Sequence, residues 1–197
     1  QREVNSKLYY IKYQIENTKE FITIATTRPE TMLGDTAIAV NPTDKRYKKI
    51  VGKNAIIPIV ERKIKIIEDE YADPEQGTGA VKITPAHDFN DYEVGQRNKL
   101  EILNVFTEDG KINDKAPKQF FGLDRFEARK KLIKLLIEKD YFVKEENIKN
   151  KVPYGDRSNS IIEPYLTEQW FADAKKLSIK AKEIVENKKT KFFPENW

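Results

Sequence analysis

The chain has 197 residues, enough for one sizeable core or for one domain with a small appendage. Charged residues make up 35%, hydrophobic ones 39% and aromatic ones 11%, which excludes a disordered chain and fits a soluble, globular one with a heavily solvated surface. No cysteine and a single histidine exclude disulfides, thiolate metal sites and multi-histidine zinc centres, and the net charge of +4, spread over scattered Lys and Glu, fits a solvated surface as well as a polyanionic partner such as RNA.

The chain opens with QREVNSKLYY, which lacks the apolar stretch of a signal peptide, and no apolar run of about 18 residues follows. A cytoplasmic protein with no membrane contact is expected. Alternating Tyr9, Ile11, Tyr13 and Ile15, a turn at Glu16 to Lys19, and Phe21 to Ala25 predict a β-hairpin. Thr36 to Val40 is a third strand. A short helix is expected from Thr43 or Asp44 to Lys49, stopped by Gly52. Strands follow at Ala55 to Val60 and at Lys63 to Ile67. The Pro- and Gly-containing YADPEQGTG, residues 71 to 79, reads as an irregular loop leading into a strand at Ala80 to Thr84. Asp88 is placed to cap a helix through Asn98. Next come a strand at Ile102 to Phe106 and a turn at Asp109 and Gly110. A helix capped by Asp124 presents Ala128, Leu132, Leu135 and Leu136 as a core-facing stripe. Tyr141 to Lys144 is a further strand. The fold class expected from these elements is mixed α/β, with a barrel-like, largely antiparallel sheet and peripheral helices.

The core is placed at residues 1 to 147, with its structured part starting near residue 8, and the remainder, 148 to 197, is read as a return segment. That segment mixes turn residues with aromatics and carries a helix from about Asp173 to Asn187, with an apolar face at Ala174, Leu177, Ala181, Ile184 and Val185. Trp170, Phe171, Phe192, Phe193 and Trp197 have little chain left to cover them, which reads as a piece of a longer protein.

Two polar knots stand out. In TTRPETMLGDT, Thr26, Thr27, Arg28, Thr31 and Asp35 follow the apolar run Phe21 to Ala25. In GTGAVKITPAHDFNDYEVG, alternation along the strand turns Lys82 and Thr84 the same way, and Asp88 and Asp91 share a face at the helix start. Each has a plainer reading. Thr27 to Glu30 fits a capping box with Pro29 in the first turn, and Asp88 fits an N-cap. Gly77 and Gly79 do not make a phosphate loop, because neither a GK with Ser or Thr nor a GxGxxG follows. His87 is the obvious general base by residue type, yet a lone histidine beside a Pro-Ala turn is more often a hydrogen-bonded structural residue, and it is kept as a second-rank site residue. Lys82 is hardest to explain structurally, since it sits between Val81 and Ile83 in an apolar strand and needs polar partners. Thr27, Thr31, Lys82, Thr84, Asp88 and Asp91 are therefore expected to line one cavity.

The two knots resemble the editing domain of class I aminoacyl-tRNA synthetases, and KITPAHDFNDYE resembles most the valyl-tRNA synthetase family. GLDRFEARKKL and RSNSIIEPYLTEQWF follow in the order seen in that family, so the resemblance covers nearly the whole chain. The HIGH motif needs two histidines and the KMSKS motif is missing, so this is not the aminoacylating part. Gln76 departs from the family, whose members tend to carry an aromatic there.

The resemblance implies a hydrolase that removes threonine from mischarged valine tRNA. Its partners would be the 3′ end of that tRNA and, in cis, the rest of the synthetase, with the protein a monomer and no cofactor or metal. Asp91 would bind the α-ammonium group of the substrate, with Asp88 supporting the wall, and Lys82 and Thr84 would read the threonine hydroxyl. Thr27 and Thr31 would lie against the aminoacyl ester, with Asp91 and Thr31 in the catalytic roles, and Arg28 would face the terminal adenosine or its phosphate. The alternatives are an inactive tRNA-binding module that keeps the editing fold, or an insertion whose aromatic C-terminal segment binds protein.

Overall fold

The computed structural model describes residues 1 to 194. The chain divides into two compact units, Gln1–Leu166 and Thr167–Trp197. The first is built on a seven-stranded sheet in the order β2-β1-β4-β5-β3-β6, with β7 also paired to β1. Its strands are β1 (Arg2–Ile15), β2 (Phe21–Thr26), β3 (Ala37–Val40), β4 (Asn54–Ile56), β5 (Lys63–Glu68), β6 (Ala80–Ile83) and β7 (Phe142–Val152). Every pairing is antiparallel except β3 with β5. The end strands β2 and β6 come together, so the sheet nearly closes into a barrel, and the expected fold class holds.

β3 explains how the layers form. All four residues of its AIAV are buried, as a strand covered on both faces requires. Ile38 and Val40 join the barrel core with Tyr13, Ile24, Ile66 and Leu33, while Ala37 and Ala39 face a smaller cluster with Ile83 and Val94. Val94 belongs to α1 (Phe89–Asn98), and the alanines leave room for that helix. Gly95 of α1 also stands tight against the Pro85 ring, 2.8 Å from where a Cβ would be. α2 (Arg125–Glu138), capped by Asp124, buries Ala128, Leu132 and Leu136 in the barrel core, with Leu135 only partly buried against it.

Four elements differ from the sequence reading. Residues 43 to 49 form a run of turns, not a helix. The Asn41 carboxamide accepts from Thr43, and Asp44 accepts from the Arg46 N–H, so side chains take the local backbone partners that a helix needs. The strand at Ala55 ends at Ile56, because Pro58 cannot donate to the ladder and Ile59 and Glu61 take left-handed φ of 71° and 62°. Residues 102 to 106 contribute one isolated bridge, Phe106 with Ile112, and no strand. Their backbone is bonded by side chains instead: Val105 N–H to His87 Nε2, Phe106 N–H to Asn104 Oδ1, and the Asn104 carbonyl to Asn113.

The fourth difference is the largest. β7 does not stop at Lys144 but runs to Val152, pairing along β1 as far as Arg2, so the division expected after residue 147 falls inside a strand. This ribbon is mostly exposed and lacks an apolar alternation that could announce it. Cross-strand pairs hold it, including Lys149 with Glu3 at 3.1 Å and Tyr10 with Glu146 at 2.9 Å.

In the second unit, α3 (Ala174–Glu186) starts at Asp173, whose carboxylate accepts the Lys176 N–H. None of its residues is buried, and Trp170, Phe171, Leu177, Phe192 and Phe193 are exposed. Trp197 lies outside the described residues. Among those residues, no helix is long and apolar enough to cross a membrane.

Candidate functional site

The seam between β2 and β6 is where the barrel stays open, and a cavity of about 680 Å³ occupies it. Thr27, Arg28, Thr31, Lys82, Thr84, His87, Asp88 and Asp91 all line it. The two knots meet here because β2 and β6 are the ends of a sheet curled on itself. Gly77 marks how close they come: a Cβ there would stand 2.9 Å from that of Ala25. Tyr71, Gln76 and, from the β1–β7 ribbon, Leu8, Ile148 and Asn150 complete the walls.

Register aims Lys82. It pairs with Ile38, and Ala80 pairs with Val40, so Lys82 points into the barrel while Val81 and Ile83 point out toward α1. Its ammonium donates to Asp35 Oδ1 at 3.1 Å and to Thr84 Oγ1 at 2.6 Å. Thr84 Oγ1 in turn donates to Asp35 Oδ1 at 2.6 Å, and the Tyr13 hydroxyl donates to Asp35 Oδ2 at 2.8 Å. Asp35 is wholly buried. Burial and the neighbouring Asp35 charge hold the Tyr13 hydroxyl well above its usual pKa, so it stays a donor. An ammonium has three N–H donors, and this arrangement commits two of them.

Asp91 lies in the first turn of α1, where the capping Asp88 Oδ1 accepts the N–H groups of Asn90 and Asp91 at 2.8 and 3.2 Å. Asp91 is buried, and its Oδ2 accepts the Thr84 N–H at 2.8 Å. Burial pushes its pKa up to about 6; Lys82 and the Thr84 N–H pull it down, while Asp88 and Asp35 push it up. Lys82, Thr84 and Asp91 thus form one connected unit, with Thr84 offering its hydroxyl to one side and its amide to the other.

The expected capping box is absent. Residues Pro29–Gly34 form a 3-10 turn with no side-chain cap, and Glu30 turns away to bond Arg129 of α2 through both oxygens, at 2.6 and 2.8 Å. Thr31 Oγ1 donates back to the Arg28 carbonyl at 3.0 Å. Gly34 sits 2.9 Å, at its Cβ position, from the Leu103 carbonyl, which explains a glycine at the end of this turn. Arg28 donates through Nη1 to the His87 carbonyl at 2.7 Å and through Nη2 to Glu163.

His87 is not placed as a base. Its ring is buried against Phe106, with centroids 4.4 Å apart, and its Nε2 accepts the Val105 N–H at 3.0 Å. Burial above all, then the Arg28 and Lys82 charges, lowers its pKa to about 3, so it is neutral at pH 7 with the proton assigned to Nδ1 by that hydrogen bond. Nδ1 meets no partner among the described residues. Two residues were undervalued by sequence reasoning. Asp35 could have been found as an acid next to an apolar strand with a lone lysine in need of a partner; Glu163 had no local signal.

The family model described as leucyl-tRNA synthetase, editing domain, matches residues 48–122. A solved LeuRS of Agrobacterium radiobacter K84, in a ternary complex with tRNA and LeuAMS, shares the fold at a TM-score of 0.57 and 20% identity, over 75% of this chain and 20% of that one. A nearly closed barrel with a polar cavity at its seam is thus the architecture of a synthetase editing domain. Valine-tRNA ligases align with the whole chain: that of Pelagibacter ubique is 78% identical, that of Thermotoga maritima 50% and that of Mesorhizobium japonicum 49%. The chain is thus similar over its whole length to valine-tRNA ligases, of whose length it spans 22 to 24%, and the match of residues 48–122 to a synthetase editing domain is consistent with that part of those enzymes.

Proposed function

We propose that this domain hydrolyses the ester that joins threonine to the 3′ end of valine tRNA, and that it acts in cis with the rest of a synthetase. The observation that carries the reading is the buried Lys82–Asp35–Thr84 triad, of which Lys82 and Thr84 line one cavity together with Asp91. A barrel needs no ammonium in its core, and burying one is unfavourable unless it is paired. Its uncommitted third N–H gives the cavity a donor for a substrate hydroxyl.

The selection follows from hydrogen-bond arithmetic. Valyl-tRNA synthetase is itself the standard example of a hydrophobic site that rejects threonine by only about a hundredfold. A cavity built around Lys82 and Thr84 inverts that preference, because valine leaves the third Lys82 N–H unpaired at a cost of about 1 to 3 kcal/mol. Asp91 takes the α-ammonium group, to which its Oδ1 remains available while Oδ2 holds the Thr84 N–H. At pH 7 a carboxyl with a pKa of about 6 is mostly ionised, and the incoming cation favours that form further.

The reaction is attack of water oxygen on the ester carbonyl carbon. The tetrahedral intermediate then breaks the bond to the ribose oxygen, which takes up a proton. His87 is excluded as the base by its engaged Nε2 and depressed pKa. Thr27 can offer a hydroxyl or backbone donor to the aminoacyl group, while Thr31, whose hydroxyl and N–H both donate to the Arg28 carbonyl, lines the wall beside it, and positioning of an already activated ester supplies the rate. Lys82→Ala tests the reading: deacylation of threonyl-tRNA(Val) should slow and the threonine-to-valine rate ratio should fall. An unchanged ratio removes Lys82 from recognition.

A further inference from the structure

Five side chains of alternating charge run from α2, past the cavity, to the stretch that follows β7 and back to α2. Arg129 grips Glu30; Glu30 Oε1 lies 3.7 Å from Arg28 Nε; Arg28 Nη2 donates to Glu163 Oε2; and Arg125 Nε donates to Glu163 Oε1 at 3.0 Å. Arg125 and Arg129 are one turn apart on the same face of α2. Glu163 lies in a stretch with neither helix nor strand, and its side chain is only 16% exposed. It therefore holds two guanidinium groups at once where solvent screens them weakly.

We infer that Glu163 is a positioning residue for the cavity: it aims Arg28 at the His87 carbonyl and so fixes the turn from which Asp88 and Asp91 start. A guanidinium is a rigid planar fork, so fixing the direction of Nη2 fixes Nη1 as well. Glu163 sets Nη2, and Nη1 holds the His87 carbonyl at 2.7 Å. The next residue, Asp88, caps α1, and Asp91 follows within the first turn. Glu30 cannot replace Glu163 in this role, because both its oxygens are bonded to Arg129 and its contact with Arg28 is long. Arg125 anchors Glu163 from the other side, so the carboxylate is located by a helix and not by the irregular stretch that carries it. The consequence for catalysis rests on the hydrolase reading above; the consequence for geometry does not.

The single histidine makes both testable in the 197-residue chain, because one imidazole gives one set of ¹⁵N signals. Glu163→Gln should move the His87 signals and slow single-turnover deacylation of threonyl-tRNA(Val) about tenfold, as misplacement near a reacting group does, while tRNA affinity changes less than twofold. In an Arg28→Lys background, Glu163→Gln should slow the reaction no further. Unmoved His87 signals with an unchanged rate, or equal slowing in both backgrounds, would overturn the inference. If Glu163→Gln fails to fold, Glu163→Asp decides, since it keeps the charge and shortens the reach: moved His87 signals support positioning and unmoved ones refute it. A native chain that leaves threonyl-tRNA(Val) intact counts against the hydrolase reading alone, and the His87 signals still decide the role of Glu163.

Discussion

Asp35→Asn separates the scaffold of the cavity from its chemistry. The substitution keeps the shape of the side chain and removes its charge, leaving the Lys82 ammonium, 8% exposed, without its ionic partner. Breaking a buried pair from one side costs about 3 to 5 kcal/mol. That is a large share of the roughly 5 to 15 kcal/mol that holds an ordinary domain together. With a urea dependence of about 2 kcal/mol per M, the unfolding midpoint should fall by roughly 2 M. Adding Lys82→Met to Asp35→Asn removes the stranded charge and should restore most of the loss. Urea titration followed by circular dichroism reads all three proteins. A loss below about 1 kcal/mol for Asp35→Asn, or a double variant no more stable than the single, would refute the claim that Asp35 exists to hold a buried lysine.

Asp91→Asn keeps an acceptor for the Thr84 N–H, so folding should survive while deacylation of threonyl-tRNA(Val) falls on the order of a hundredfold or more; a near-normal rate contradicts its role. In the native chain the same rate should decline as pH falls through about 6, where Asp91 takes up a proton and loses the charge that pairs with the ammonium. His87 has a folded pKa of about 3 against the usual 6.5, so its contribution to stability is present above 6.5 and lost as pH falls toward 3. Asp91, raised from 3.8 to about 6, works in the opposite sense, adding stability as pH falls through that window. Between pH 7 and about 4.5, His87→Gln should therefore lose about 2 to 3 kcal/mol less than the native chain, and identical urea midpoint shifts for the two proteins would contradict this. Gly77→Val should destabilise the fold and impair the cavity together, because φ is +58° and the Cβ would press on Ala25 across the seam; normal stability and activity would show that the seam is not tight.

The barrel class and the cavity were legible because the signals are local. Tyr9, Ile11, Tyr13 and Ile15 alternate as a half-buried strand must, and Lys82 and Thr84 are two residues apart in an apolar one. The failures share a different cause. Residues 43 to 49 carry helix-forming lysines, yet Asn41 and Asp44 bond their own neighbours and hold the chain in turns. β7 reads FVKEENIKNKV, with no regular apolar alternation, and exists because β1 lies alongside it. Thr27 and Glu30 fit a capping box by spacing, but Arg129, 99 residues from Glu30, offers a stronger bidentate partner. Glu163 is still less visible, with partners 135 and 38 residues away. Long-range ion pairs leave no trace in local periodicity.

The central claim is that a buried lysine, a threonine and an aspartate at the barrel seam select a hydroxylated aminoacyl ester for hydrolysis. Single-turnover deacylation of threonyl-tRNA(Val) and valyl-tRNA(Val) by the 197-residue chain tests it most directly. The account predicts that the threonyl ester is cleaved well above the spontaneous rate and the valyl ester at least tenfold more slowly, a factor that corresponds to about 1.4 kcal/mol, within the range for one unpaired buried donor. Equal rates for the two esters, or valyl-tRNA(Val) cleaved faster, would contradict it.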